Sequence, residues 1–224
     1  MIYITGDTHG DITRFKQFKA FLPKYRHHLL VCGDFGFVWN NSEQEKKRLR
    51  KLEKLDCNIL FVEGTHDNLD LLSGYPLEEF CGGKVRRLAK NVFWMQRGEL
   101  FTIEGVTVFA MGGGESSDAD EREEGVNWWR GELPSISEIE SAWHTVEKAE
   151  GGVDIIITHH NPRLELGLID AQRQTINALG VFLSEVAKTV NYRHWYFGMD
   201  HVDKTISPRM TAVFEKILKF EPKK

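Results

Sequence analysis

Residues 3–10 read Tyr3-Ile4-Thr5-Gly6-Asp7-Thr8-His9-Gly10, an apolar run that breaks off into two polar residues. Four later segments repeat this arrangement, and the polar residues that follow them are Asp34, His66-Asp67, His159 and His201. Short apolar runs that end in Gly or Thr are typical of buried strands. In open α/β proteins, ligands bind at the carboxyl ends of the strands. The pattern therefore predicts strands that bring Asp and His side chains to one edge, where they form a metal site.

The remaining patterns extend this fold. Strand and helix alternate up to residue 63, which predicts βαβ units and a parallel sheet. Apolar residues at helical spacing predict the first helix, with Pro23 at its exit: Ile12, Phe15, Phe18 and Leu22. Ser42 and Ser135 are predicted to cap later helices, and a further helix is predicted over 175–190. Close-spaced strands between residues 85 and 111 predict antiparallel hairpins, so the expected fold is α/β, a two-sheet β-sandwich flanked by helices.

The bulk composition predicts a single cytoplasmic domain over residues 1–224. A net charge of −4 gives no reason to expect non-specific binding to nucleic acid or membranes. The cysteines, Cys32, Cys57 and Cys81, form no CxxC pair, which suits a reducing compartment. The first predicted strand begins at Ile2 and leaves no room for a signal peptide, and no apolar run approaches the ~20 residues of a spanning helix.

The polar residues that follow each predicted strand suggest a specific chemical role. Asp7 and His9 are two residues apart, so in extended chain both side chains can reach one ion; the alternative is a turn with an exposed Asp and His. Asp34 follows a wholly apolar strand, where a carboxylate needs a cation or several donors; the alternative is a cap on the following turn. His66, with a carboxylate beside it in the sequence, is suited to proton transfer.

In order, the blocks Gly6-Asp7-Thr8-His9-Gly10, Gly33-Asp34, Gly64-Thr65-His66-Asp67, Thr158-His159 and Gly198-Met199-Asp200-His201 resemble those of the calcineurin-like metallophosphoesterase superfamily. The usual forms are GDxHG, GD, GNH(D/E), TH and GHxH. The resemblance implies a four-layer α/β/β/α sandwich. It also implies a first metal held by Asp7, His9, Asp34 and His201. Asp34 would bridge to a second metal held by His159.

The resemblance further implies a reaction. The chain would hydrolyse phosphate mono- or diesters by attack of a metal-bound hydroxide, with His66 as general acid and Asp67 orienting it. The mixed nitrogen and oxygen ligands favour Mn²⁺, with Fe, Zn²⁺ and Ni²⁺ as alternatives. The expected partner is a small phosphorylated substrate or nucleotide, and neither a membrane nor extended nucleic acid is expected.

Two positions depart from the superfamily pattern: Thr65 replaces the usual Asn, and Met199 replaces a His. Thr carries its oxygen nearer its own backbone, so Thr65 could ligate only if the backbone moved or a water bridged the gap. A neutral thioether is a poor ligand for hard divalent ions. We therefore expect one firmly bound metal, a second that is weak or absent, and low activity.

An acidic segment over about residues 112–134 interrupts the pattern. A charge run usually forms a solvated loop, and this interpretation is favoured over a lid above the metals. Trp128-Trp129 is expected to anchor the segment to the body. Together with Trp39, the segment is similar to a small bacterial and phage branch of the superfamily.

Two other functions compete with hydrolysis. A degenerate, non-catalytic member would bind a nucleotide, a phosphoprotein or a protein partner, and Thr65 and Met199 favour this alternative. The second alternative is a structural subunit of a larger assembly, in which the metal would only stabilise the fold.

Overall fold

Two β-sheets lie face to face in the computed structural model, which describes residues 1–21, 27–149, 151–162 and 177–222. The described strands are β1 (Ile2–Thr5), β2 (His27–Cys32), β3 (Cys57–Val62), β4 (Leu77–Phe80), β5 (Gly83–Ala89), β6 (Val92–Met95), β7 (Glu99–Ile103), β8 (Val106–Met111), β9 (Val153–Thr158), β10 (Tyr192–Phe197), β11 (Lys204–Ser207), β12 (Met210–Ala212) and β13 (Leu218–Lys219). The described α-helices are α1 (Ile12–Phe21), α2 (Glu43–Leu52), α3 (Leu69–Ser73), α4 (Ile136–Glu147) and α5 (Ala178–Thr189).

Both sheets are mixed, with parallel strands at their centres. Among the described residues, the first sheet has the order β13-β1-β2-β3-β6-β5-β4 and the second the order β11-β12-β10-β9-β8-β7. Strands β1, β2, β3 and β6 pair in parallel, as do β8, β9, β10 and β12, and the outer strands pair antiparallel. Because the central strands of each sheet are parallel, the residues that follow them are delivered to one edge.

Three buried clusters separate four layers. The alternating side chains of each central strand enter different clusters, as the two-residue period of a strand requires. Ile4 and Leu30 lie between the sheets, where they pack with residues such as Ile155 from the second sheet. The opposite face of the first sheet packs against α1, α2 and α3, and the opposite face of the second against α4 and α5. The predicted α/β sandwich flanked by helices is confirmed.

The predicted helix caps at Ser42 and Ser135 are both present in the structure. Ser135 forms a complete capping box with Glu138 at the start of α4, and the Ser42 side chain accepts a hydrogen bond from the backbone N–H of Glu45. Helix α4 ends at Glu147, a few residues before Gly151-Gly152, where the glycine pair predicts its end. The predicted positions Leu22, Pro23 and Thr175 lie outside the described residues.

The middle of the chain differs from the simple hairpin series that the sequence suggested. Strands β5 and β6 form a hairpin, as do β7 and β8, but the two hairpins belong to different sheets. The chain crosses between the sheets over Gln96, Arg97 and Gly98. Strand β6 then pairs in parallel with β3, and β8 with β9, so each hairpin extends one sheet.

Cys32 and Cys57 are buried free thiols that pack as small apolar groups. None of the helices in the described part of the chain has the length and apolar composition needed to cross a lipid bilayer.

Candidate metal centre

Four side chains converge where β1, β2 and β10 end. One ligand atom from each of Asp7, His9, Asp34 and His201 lies within 4.8 Å of the others. The Nε2 atom of His201 is 2.9 Å from Oδ2 of Asp7, and it is 3.2 Å from Nε2 of His9. Imidazole nitrogens and carboxylate oxygens converge on this space, and such a set is suited to holding a divalent cation once the nitrogens are deprotonated.

The backbone turns sharply at three of these four residues. His9, Asp34 and His201 have positive φ angles of 46°, 41° and 50°. Residues other than Gly rarely adopt this left-handed conformation, and strained positions of this kind tend to cluster at functional sites. Gly198 allows the close approach that completes the group, because a Cβ atom there would overlap the carboxylate of Asp7.

His159 follows β9 and lies against the two carboxylates of the group. Its Nδ1 atom is 3.5 Å from Oδ1 of Asp7, and its Nε2 atom is 3.6 Å from Oδ1 of Asp34. Among the described residues, neither ring nitrogen of His159 and neither carboxylate oxygen of Asp7 has a hydrogen bond of good geometry, although all four atoms are buried. Buried polar atoms are almost always satisfied. These orphaned atoms therefore fit a metal centre.

The electrostatics of the group follow from this arrangement. Burial alone would raise the pKa of Asp7, but His159 and His201 outweigh it and hold this pKa below its ordinary value. Burial likewise disfavours the charged form of His159, but Asp34 and Asp7 raise its pKa to about 10. The ring of His159 therefore supplies the positive charge that the carboxylates require when no cation is bound.

His66 follows β3 and contacts Asp34 twice. Its backbone N–H donates to Oδ1 of Asp34 at 2.8 Å, and its Nδ1 atom lies 2.9 Å from Oδ2. The hydrogen bond with Asp34 raises the pKa of His66, which burial opposes. Since an ionised carboxylate can only accept, Nδ1 carries the proton and Nε2 faces away from Asp34.

Asp67 does not contact the His66 ring, in contrast to the role expected from their adjacency. Its carboxylate accepts the backbone N–H groups of Phe35 at 3.1 Å, Gly36 at 2.8 Å and Gly64 at 3.0 Å. Burial raises the pKa of Asp67 to about 7. Neighbours in an extended chain point in different directions, so Asp67 ties together the loops after β2 and β3, and Asp34 orients His66.

The two atypical positions lie beside His66 and His159. The hydroxyl of Thr65 is 3.2 Å from Nδ1 of His66. A Cβ atom on Gly114 would lie 2.9 Å from the Thr65 methyl group, so that methyl faces the chain after β8. Met199 is half-buried, and its backbone N–H donates to the carbonyl of His159 at 3.2 Å.

The acidic segment, for which a solvated loop was favoured over a lid, brings Arg122 to the centre. Arg122 places its NH2 atom 2.9 Å from Nε2 of His66. The indole of Trp129 is buried, donates to Asp70 at 3.0 Å and packs edge-on against Trp39. Arg122 and Arg130 are the basic residues of this segment. Their position among acidic residues was the one feature of the sequence that could have pointed to a role for Arg122.

Comparisons with known proteins place the chain in a family. The calcineurin-like phosphoesterase family matches residues 1–215. Among solved structures, the chain is similar to a protein serine/threonine phosphatase from Saccharomyces cerevisiae with similarity to human phosphatase PP5, with 15% identity and a TM-score of 0.36. That alignment covers 95% of this chain and 66% of the yeast chain. No curated protein sequence matches significantly. Because the family match spans nearly the whole chain, the protein belongs to the calcineurin-like phosphoesterases.

Proposed function

We propose that the chain is a metal-dependent phosphoesterase that hydrolyses mono- or diesters of small phosphorylated molecules or nucleotides. The observation that carries this proposal is the convergence of Asp7, His9, Asp34 and His201 within 4.8 Å, with His66 bonded to the same Asp34. A divalent cation in this group would supply Lewis-acid catalysis by neutralising charge that develops on the phosphoryl group.

In the proposed reaction, one group of side chains binds metal and another residue donates a proton. Asp7, His9, Asp34 and His201 hold the first cation, for which we favour Mn²⁺. His159, together with Asp34, contributes to a second position that binds weakly because Thr65 and Met199 give little help. His66 in its imidazolium form donates a proton to the leaving oxygen from Nε2, the nitrogen that does not face Asp34. Nε2 accepts a hydrogen bond from Arg122 in this structure, so it takes up that proton from solvent once Arg122 has moved to the substrate.

Asp67 has a supporting part in this proposal. Three backbone N–H groups hold its carboxylate, so it fixes the loops that carry Asp34 and His66. We therefore propose that Asp67 is a positioning residue and that it does not move the reacting proton.

The test is a metal analysis combined with an assay in the presence of Mn²⁺, using p-nitrophenyl phosphate and bis(p-nitrophenyl) phosphate. We expect at least one bound ion per chain and slow hydrolysis of one or both esters. Asp34→Asn should lose both the ion and the activity, because Asn offers a neutral amide in place of the shared carboxylate. His144→Gln is the matched control, because the His144 side chain is 72% exposed on α4.

The competing proposal is a non-catalytic member that binds a nucleotide, a phosphoprotein or a protein partner. Thr65 is the observation that favours it, because its hydroxyl is directed to His66 and its methyl faces Gly114. A chain that holds its ion in stoichiometric amount but hydrolyses neither ester would support this alternative and overturn the proposed hydrolase.

A further inference from the structure

Arg122 brings a positive charge from the acidic segment to the side of the metal centre. Its NH2 atom lies 2.9 Å from Nε2 of His66 and 2.8 Å from Oδ2 of Asp118. The side chain of Arg122 is only 14% exposed. A guanidinium group at this position is therefore largely shielded from water and directed at the centre.

The hydrogen bonds leave part of this guanidinium available. Arginine has five N–H donors in a planar fork. NH2 serves His66 and Asp118, and NH1 makes a long contact of 3.4 Å with the carbonyl of Asn127. In the portion of the chain that the structure describes, Nε and the second hydrogen of NH1 have no partner. Arg122 can therefore bind another acceptor without first losing its pairing with Asp118.

The acidic segment that carries Arg122 is fixed at its base. Glu132 is buried, and its carboxylate accepts the N–H and the hydroxyl of Ser116, both at 2.7 Å. The N–H of Gly114 donates to the carbonyl of Glu132 at 3.1 Å. At the same end, Trp129 donates to Asp70. These contacts join the two ends of the segment, so the approach of Arg122 to His66 is part of the fold.

We propose that Arg122 binds the phosphoryl group of the substrate and gives the site a preference for phosphate monoesters over diesters. This inference rests on the proposed function and deepens it. A monoester phosphoryl group carries two negative charges near neutral pH and presents three terminal oxygens. A diester carries one charge and presents two. An arginine fork pairs with two phosphoryl oxygens at once, and its attraction grows with their charge.

Binding would exchange one contact of Arg122 for a stronger one. The guanidinium leaves the neutral Nε2 of His66 and pairs with charged oxygens, while Asp118 continues to orient it. The exposed acidic residues of the same segment repel additional phosphate groups, as an extended nucleic acid would present. The acidic segment thus selects for a single terminal phosphate.

The experiment compares Arg122→Gln with Arg130→Gln, a matched control in the same segment whose side chain is 77% exposed and paired with Glu124. Inorganic phosphate is titrated calorimetrically into the Mn²⁺-loaded proteins. Because Arg122→Gln removes a hydrogen bond to a charged group, we expect its Kd for phosphate to be roughly 10- to 100-fold higher than that of the wild type. Arg130→Gln should bind phosphate as the wild type does.

Kinetics provide the second measurement. The ratio of kcat/KM for p-nitrophenyl phosphate to that for bis(p-nitrophenyl) phosphate should fall about tenfold or more in Arg122→Gln. Arg122→Lys keeps the charge but lacks the planar fork, so it should lose part of the preference, less than Arg122→Gln does. It also serves as the test variant if Arg122→Gln does not fold. An equal loss for both esters, or an unchanged phosphate affinity, would overturn the inference.

The two proposals fail in different ways. If wild-type protein binds phosphate through Arg122 but hydrolyses neither ester, the proposed hydrolase is overturned and the phosphate-binding role of Arg122 is supported. If both esters are hydrolysed with the same ratio in wild type and Arg122→Gln, the hydrolase stands and the role of Arg122 is overturned.

Discussion

Asp34 holds His66 by two atoms at once, with Oδ1 accepting the backbone N–H at 2.8 Å and Oδ2 lying 2.9 Å from the ring Nδ1. The two residues are 32 positions apart and end neighbouring parallel strands. One carboxylate therefore belongs both to the candidate metal ligands and to the contacts of the proposed general acid. Any change at Asp34 disturbs both functions, so the proton-transfer role must be tested at His66.

His66→Gln should lower the turnover of phenyl phosphate by about 10²- to 10⁴-fold, the usual contribution of a general acid. Hydrolysis of p-nitrophenyl phosphate should fall much less, because its leaving group departs without a proton. The measurement is kcat for the two esters. Metal content should be unchanged, since His66 is not one of the four converging ligands. An equal loss with both leaving groups would show that His66 is not the proton donor.

Thr65→Asn combined with Met199→His should raise metal stoichiometry and activity together. The substitutions restore an amide oxygen and an imidazole beside His159, whose carbonyl accepts the N–H of Met199 at 3.2 Å. Metal analysis and a Mn²⁺ titration of hydrolysis check this outcome. Each single variant is the control, because one added ligand should give a smaller gain. A double variant that binds no additional ion would remove these two positions from the metal centre.

The metal-free protein should lose stability as the pH rises from 6.5 to about 10. Burial lowers the pKa of His159, but Asp34 and Asp7 outweigh it and raise this pKa from 6.5 to about 10. The stabilising effect of a raised histidine pKa is complete below the unfolded value and is lost as the pH passes the folded value. Urea unfolding at several pH values measures it, and His159→Gln should show a flatter profile.

The proton that His159 carries in the metal-free protein should be released when a cation binds. With a pKa of about 10, His159 should be protonated at pH 8 in the metal-free protein. A cation bound nearby offsets the charge of Asp34 and Asp7, the carboxylates that raise this pKa. We expect about one proton per first ion bound in an indicator assay with weak buffer. His144→Gln should behave as the wild type. No proton release at pH 8 would contradict the close relation of His159 to the metal.

Asp67→Asn should destabilise the fold by about 1–3 kcal/mol, because an amide cannot accept all three backbone N–H groups that the carboxylate accepts. The free energy of unfolding in urea measures this loss. The control is Asp56→Asn at an exposed position, which should change stability little. A stable Asp67→Asn variant with no proton transfer would instead place Asp67 in the reaction itself.

The central sheets could be predicted because buried parallel strands are continuous apolar runs. Leu29 to Cys32 and Ile155 to Thr158 are of this kind. Strands β4, β11 and β13 escaped prediction because they lie at sheet edges, where one or both faces are exposed and no apolar run is required. The five-residue α3 was too short for a helical period to be visible.

The positions of the site residues could be predicted because strand ends converge in parallel sheets, but side-chain directions could not. Adjacency suggested that Asp67 orients His66, whereas the residue that contacts the ring comes from another strand. Arg122 was missed for a related reason. Its contact with His66 spans 56 positions and depends on how a loop folds back, which no local pattern encodes.

The positive φ angles of His9, Asp34 and His201 have a consequence for which cation is accepted. Tight turns at these three residues position the backbone that carries the ligand atoms, so a larger ion could be accommodated only if that backbone moved. We therefore expect Ca²⁺, which needs longer bonds and more oxygen ligands, to bind more weakly than smaller transition-metal ions.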